Sequence, residues 1–323
     1  MKNATARKEK TPNPGPRLQS PRKQSKLGVR IWKNREVYLL VLPAIITVFI
    51  FHYIPIYGAQ IAFKNFRPKL GIWGSPWVGL KNFERFINYP YFWQMMWNSL
   101  WINIVDLLFF PLPIVFALLL NEMRFPRAKK VCQTITYAPH FVSTVVVCTM
   151  VTFFCSSDGL FSILANMMGV EYTNPLEKSK LFAWILAFCN MWQNLGWSTI
   201  IYMAALSGVS PELIEAARID GCNRMQIIKN INLPTIVPTA VTLLILRMGS
   251  MLSTGYEKIL LLQNNLNMDG SNVISLYAYQ MGFGASQQYS YSTAIGLFNS
   301  LIEVVLVLTV NHISKKVNEV SLW

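Results

Sequence analysis

Residues 210–238 read SPELIEAARIDGCNRMQIIKNINLPTIVP, and they combine helix-starting and helix-ending signals in an otherwise apolar half of the chain. Ser210 suits the N-cap of a helix that begins at the next residue, a proline, whose missing N–H has no partner in a first turn anyway. Gly221 can end this helix in a left-handed conformation, and Asn223 can cap a second helix. We expect Pro234 to end the second helix. The stretch therefore predicts two short helices joined at Gly221.

The same stretch resembles the cytoplasmic EAA loop of membrane subunits in binding-protein-dependent ABC importers. That family pattern is E-A-A, three residues, G, nine residues and I-x-L-P, and each fixed position is present in Glu215 to Pro234. The resemblance implies that the first helix docks into a cleft on a separate ATPase subunit. The coupling residues it implies are Glu215, Ala216, Ala217, Asp220 and Gly221. Met225 and Ile228 depart from the expected aromatic residues, and the alternative is an ordinary amphipathic helical hairpin.

The composition indicates an all-α integral membrane protein. Of the 323 residues, 53% are hydrophobic and 14% are charged, whereas a soluble domain carries about 25% charged residues. Several apolar runs reach about 20 residues, the length that crosses a bilayer core. We predict six transmembrane helices, at about 37–59, 98–120, 132–155, 181–204, 236–254 and 293–312, with an EAA loop at 205–235.

The positive charge is concentrated at the amino terminus, which argues against nucleic acid as a partner. Eleven of the 29 Lys and Arg residues precede residue 37. Residues 1–36 are therefore predicted to form a disordered basic cytoplasmic tail against anionic membrane lipid, ahead of a transmembrane domain at 37–323. With the amino terminus inside, inner segments hold 20 Lys and Arg and outer segments hold 8. The positive-inside rule then places both termini and the EAA loop in the cytoplasm. The resemblance to ABC importers implies that the membrane is a bacterial plasma membrane.

Ionisable residues inside predicted spans need a specific reason to be there. Arg247 and Glu303 both fall near the midplane, about ten residues into their spans. They can form a structural ion pair, or Arg247 can line a sugar path and bind a uronic acid carboxylate bidentately. Asp106 lies in the second predicted span.

The fourth predicted span carries a polar stripe. Asn190, Gln193, Asn194 and Trp197 fall at i, i+3, i+4 and i+7, which places them on one helix face. Such a surface suits sugar hydroxyls and C–H patches, but amides also join helices within a bundle, and both interpretations stay open. The lone His140 is predicted to be hydrogen-bonded inside the bundle rather than to bind a metal. In residues 255–292, the apolar start is predicted to dip back into the bundle before a short helix near Val273–Met281.

The resemblance extends over most of the chain. Residues 35–323 look like the six-span permeases of carbohydrate-uptake ABC importers, of the type I fold that includes the maltose transporter subunits. The phrases at 137–146 and 255–262 and the Ser321-Leu322-Trp323 ending look like the branch that serves complex oligosaccharides. This implies four kinds of partner: a related but different permease subunit, two ATPase subunits, an extracytoplasmic solute-binding protein and the oligosaccharide.

The chain itself is not expected to be an enzyme. It contains no G-x-x-x-x-G-K-[ST] sequence, so it is not expected to hydrolyse ATP by a P-loop mechanism. The resemblance implies that ATP and Mg²⁺ bind the partner ATPase, and no cofactor or metal is expected on this chain. Two other functions remain as alternatives. One is a type I ABC permease for a solute other than a sugar, and the second is a secondary transporter that needs no ATPase.

Overall fold

The computed structural model describes Trp32, residues 34–253 and residues 255–318. Within these residues the regular structure is helical, apart from an isolated β-bridge between Lys64 and Trp77. The predicted basic tail at 1–36 lies outside the described residues except at Trp32 and positions 34–36. The chain divides into two compact units, Met1–Gly58 and Ala59–Trp323.

The first unit contributes one apolar helix. α1 (Arg35–Val48) continues through a π-helical turn at Phe49–Tyr53 and a further helical turn at Ile54–Ile56. In the π turn the backbone hydrogen bonds span five residues instead of four. The aromatic rings of Phe49 and Tyr53 stack in this turn, with their centroids 5.9 Å apart. This helix corresponds to the first predicted span.

The second unit holds the remaining α-helices. In the described part of the chain they are α2 (Gly71–Gly74), α3 (Lys81–Ile87), α4 (Phe92–Leu108), α5 (Leu112–Asn121), α6 (Pro126–Tyr137), α7 (Thr144–Phe154), α8 (Leu160–Met167), α9 (Ser179–Leu206), α10 (Pro211–Ile219), α11 (Arg224–Ile227), α12 (Leu233–Met248), α13 (Tyr256–Leu262), α14 (Met268–Ser271), α15 (Ile274–Phe283) and α16 (Tyr289–Asn318).

By length and composition, four helical segments can each cross a membrane. They are Arg35–Phe63, Phe92–Asn121, Arg224–Met248 and Tyr289–Lys316. The number rises to six if each of two bent helix pairs counts as one span. The predicted all-α membrane architecture is thus confirmed. Of the two bends, one lies inside the predicted span 132–155, and the other follows the predicted span 181–204, which is continuous within α9.

The third predicted span, 132–155, is one of these bent pairs. Residues Pro126–Phe141 and α7 meet at 98°. A 3-10 turn at Ala138–Phe141 contains a proline, Val142 is extended, and the Ser143 hydroxyl accepts the N–H of Val146 to cap the new helix. Hydropathy could not reveal this break because residues 132–155 contain no Asp, Glu, Lys or Arg on either side of it.

The prediction that Pro234 ends the second helix of the EAA stretch is wrong. The helix runs on from Arg224 to Met248. A π turn at Ile228–Asn232 comes just before the proline, so its missing N–H falls where the regular hydrogen-bond ladder is already interrupted. The fifth span therefore starts inside the EAA stretch and ends at Met248, earlier than the predicted residue 254.

α9 is the central element of the second unit and contacts α4, α5, α6, α12 and α14. Its Phe182 and Leu186 share a buried apolar cluster with Ile259 and Leu262 of α13. The apolar start of segment 255–292 does pack back among the helices. The short helix predicted near Val273–Met281 is α15, which runs from Ile274 to Phe283. This packing brings residues 256–258 close to the middle of α9.

Candidate functional site

The EAA stretch forms an exposed helical corner. α10 meets α9 at 75°, and Gly221 follows it with φ +82°, a left-handed conformation that glycine adopts without a Cβ penalty. Asn223 caps α11 through a capping box with Gln226, as its position predicts. The Ser210 hydroxyl occupies the N-cap position but donates to the Glu212 carboxylate.

The coupling residues lie on the surface of this corner. Glu215, Ala216, Asp220 and Gly221 are exposed, and Ala217 is half-buried. Large apolar side chains beside them are also exposed, with Ile219 at 86% and Met225 at 69%. An apolar, solvent-facing surface of this kind suits a protein partner.

A cavity of about 720 Å³ lies between the helices of the second unit. This volume falls in the range of sites for small molecules, roughly 300–1,000 Å³. The wall is largely apolar, and the polar side chains that line it come mainly from α4, α9, α12 and α13: Asn103, Asp106, Asn190, Asn194, Ser198, Arg247, Glu257 and Lys258.

A chain of four polar side chains crosses one side of the cavity, each from a different helix. The Arg247 guanidinium pairs with the Asp106 carboxylate, which also accepts the Asn190 Nδ2–H at 3.2 Å. The Lys258 ammonium donates to Asn190 Oδ1 at 2.7 Å. The amide of Asn190 therefore links the ion pair to a second cation.

The predicted pair between Arg247 and Glu303 is wrong. Arg247 on α12 faces α4, where Asp106 supplies its carboxylate. Glu303 lies on α16 and faces the turn after α12, where its carboxylate accepts the backbone N–H groups of Leu252 at 2.9 Å and Ser253 at 2.8 Å. These N–H groups follow the end of α12 and have no helical carbonyl as an acceptor, so the buried carboxylate accepts their hydrogen bonds instead.

The predicted amide stripe is divided between two roles. Asn190 and Asn194 line the cavity, but Gln193 and Trp197 are not among its lining residues. Gln193 is buried and donates to the Val142 carbonyl at 2.8 Å, which ties α9 to the break after α6. Trp197 stacks on His140 with ring centroids 4.4 Å apart.

His140 is a bundle residue, as predicted. Its Nδ1 lies 3.1 Å from Asn194 Oδ1, which in turn connects it to the polar face of α9. In the described ranges, no group of three or more His, Cys, Asp and Glu side chains could hold a metal ion.

Lys258 is the functional candidate that the sequence reasoning missed. It is only 9% exposed, although the span prediction placed it in an outer segment. The apolar run that begins at Ile259 could have indicated the burial of Lys258. If this run packs among the helices, the lysine directly before it is drawn into the bundle as well.

Comparison with known proteins identifies the architecture. A family model described as "Binding-protein-dependent transport system inner membrane component" matches residues 110–319. The chain is 39% identical over 303 residues to YteP of Bacillus subtilis strain 168, a polygalacturonan/rhamnogalacturonan transport system permease, covering 93% of this chain and 94% of YteP. It is also 39% identical to LplB of the same organism over 293 residues, covering 90% and 92% of the two chains.

Solved structures agree with this match. A chain of a bacterial alginate ABC transporter, crystallised with an alginate pentasaccharide-bound periplasmic protein, superposes with a TM-score of 0.82 at 34% identity. The superposition covers 92% of this chain and all of that chain. A second structure of a bacterial importer of alginate gives a TM-score of 0.81 at 35% identity, with 91% and 100% covered. The chain belongs to the family of binding-protein-dependent transport system inner membrane components, and it is a transport subunit rather than an enzyme.

Proposed function

We propose that this chain is a membrane-spanning subunit of an ATP-driven importer that carries an oligosaccharide through the cavity beside α9. The observation that carries the proposal is the position of that cavity relative to the EAA corner. α9 leads directly into the corner and supplies Asn190, and α12 leads out of it and supplies Arg247. A displacement of the corner would therefore move two walls of the cavity.

The chemistry of the cavity suits a sugar. Amides such as Asn190 and Asn194 hydrogen-bond hydroxyl groups, and aromatic side chains such as Phe110 and Tyr256 cover C–H patches. The relatives named for polygalacturonan, rhamnogalacturonan and alginate support the same substrate class.

The proposed mechanism is alternating access. A binding protein delivers the sugar from outside, and ATP with Mg²⁺ closes two partner ATPase subunits onto this chain and a related permease chain. The exposed corner around Gly221 receives this closure, and α9 and α12 rock so that the cavity opens to each side in turn. We place the corner and both chain termini in the cytoplasm, on the side of the ATPase subunits.

Reconstituted transport tests the proposal. Proteoliposomes that contain the complete importer should take up a labelled oligosaccharide only with ATP on the ATPase side and binding protein on the other side. Uptake that persists when ATP hydrolysis is blocked would identify a secondary transporter. A complex that takes up peptides or inorganic anions but no sugar would contradict the substrate class.

A further inference from the structure

We propose that Lys258 binds a carboxylate of the transported sugar, which makes the substrate an oligosaccharide that contains uronic acid. This inference rests on the proposed function and adds the chemical class of the substrate. Its basis is a buried lysine at the cavity wall whose ammonium group no carboxylate contacts within the described residues.

Four side chains that carry a charge at neutral pH line the cavity: Asp106, Arg247, Glu257 and Lys258. Asp106 and Arg247 contact each other, so their charges compensate locally. Glu257 is exposed, and the described ranges contain no ion pair between it and Lys258. The positive charge of Lys258 is therefore left without a contacting counter-charge at 9% exposure.

The donor count of Lys258 leaves room for a ligand. An ammonium has three N–H donors. Among the described residues, Asn190 Oδ1 is its hydrogen-bond partner, at 2.7 Å, and this partner is a neutral amide. A buried cation without a counter-charge is costly, and a bound carboxylate would supply both the charge and the remaining acceptors.

The neighbouring contacts hold the ammonium in place. The Nδ2–H of Asn190 donates to Asp106, so the amide must turn its oxygen toward Lys258. A carboxylate would thus meet a cation whose position is fixed before the sugar arrives.

Lys258 is better placed for this role than Arg247. The Arg247 guanidinium is already paired with Asp106, and it lies over the Phe110 ring at 5.9 Å. A sugar carboxylate that bound Arg247 would share the guanidinium with Asp106, whose charge already compensates it. At Lys258 it would share the ammonium with no carboxylate of the described chain.

Equilibrium binding to the complete importer in nanodiscs, without binding protein, tests the assignment. The probes are labelled trigalacturonate and its methyl ester, which have the same sugar rings but differ in charge. We expect the acid to bind about 10- to 100-fold more tightly than the ester, as one charge-assisted contact would give. Lys258→Gln should abolish this preference by weakening acid binding alone, and Lys258→Arg should retain most of it. Lys180→Gln, which removes an exposed lysine that does not line the cavity, is the charge-matched control.

Three results would overturn the inference. They are equal binding of both probes by the wild type, an unchanged preference in Lys258→Gln, and no binding of either probe. If Lys258→Gln fails to assemble, the wild-type comparison and Lys258→Arg still decide. ATP-dependent uptake of any labelled oligosaccharide in proteoliposomes, acidic or neutral, shows separately whether the proposed function holds.

Discussion

The contact between Asp106 and Arg247 makes a quantitative prediction about stability. Their side chains are 18% and 36% exposed, so the pair lies between the fully buried and the fully exposed cases. Breaking a buried pair costs about 3–5 kcal/mol, whereas an exposed pair contributes about 1 kcal/mol or less. We therefore expect a coupling free energy of about 2 kcal/mol between the two residues.

A double-mutant cycle measures this coupling. Asp106→Asn, Arg247→Gln and the double variant are unfolded reversibly in mixed micelles, and the free energies of unfolding are compared. The double variant should be about 2 kcal/mol more stable than the sum of the single effects predicts. Each single change leaves one charge unpaired in the membrane interior, and the double change leaves none.

The matched control is the cycle between Arg247 and Glu303, with Glu303→Gln as the second change. Glu303 is bonded to the turn at Leu252 and Ser253, so this cycle should be additive within about 0.5 kcal/mol. The reasoning would be refuted if the Asp106 cycle were additive, or if the Glu303 cycle showed the larger coupling.

Two further variants test the packing of α9. Gly196→Ala should destabilise the chain by about 1–3 kcal/mol, because an added Cβ would lie 2.3 Å from the carbonyl oxygen of Thr136. Thermal unfolding should show this loss. Gly296→Ala, which has nothing within 4 Å of its added Cβ, serves as the helical control and should not destabilise the chain. Gln193→Leu should lower the thermal midpoint because the Val142 carbonyl loses its donor, with sugar uptake per folded complex unchanged. If Gln193→Leu had a normal thermal midpoint but reduced sugar uptake, Gln193 would be a residue of the sugar path and this prediction would be wrong.

Much of the fold could be predicted because it depends on local signals. The length of the apolar runs predicted the spans, Asn223 was predicted to cap the second helix of the EAA stretch, and Gly221 was predicted to be left-handed. The same signals gave the wrong end for the helix after Asn223. A π turn before Pro234 absorbs the missing hydrogen bond, and composition does not reveal a π turn.

The polar pairing could not be predicted, because partners in a bundle are set by helix rotation and packing. The pair between Arg247 and Glu303 was predicted because both residues fall near the membrane midplane. Depth in the membrane does not determine which helix faces contact each other. The structure turns Arg247 toward Asp106 and Glu303 toward a backbone turn. Lys258 was missed for a related reason, since the charge count treated its whole segment as external.

The most direct measurement compares sugar uptake and ATP hydrolysis in the same proteoliposomes for Gly221→Asp and Gly79→Asp. Both glycines have positive φ and open space around an added Cβ, so the two changes place similar strain on the chain itself. Only Gly221 lies in the EAA corner proposed to meet the ATPase. We predict that Gly221→Asp inserts and assembles but loses stimulated ATP hydrolysis and uptake together, while Gly79→Asp retains both. Normal coupled uptake in Gly221→Asp would contradict the claim that ATP drives this chain through that corner.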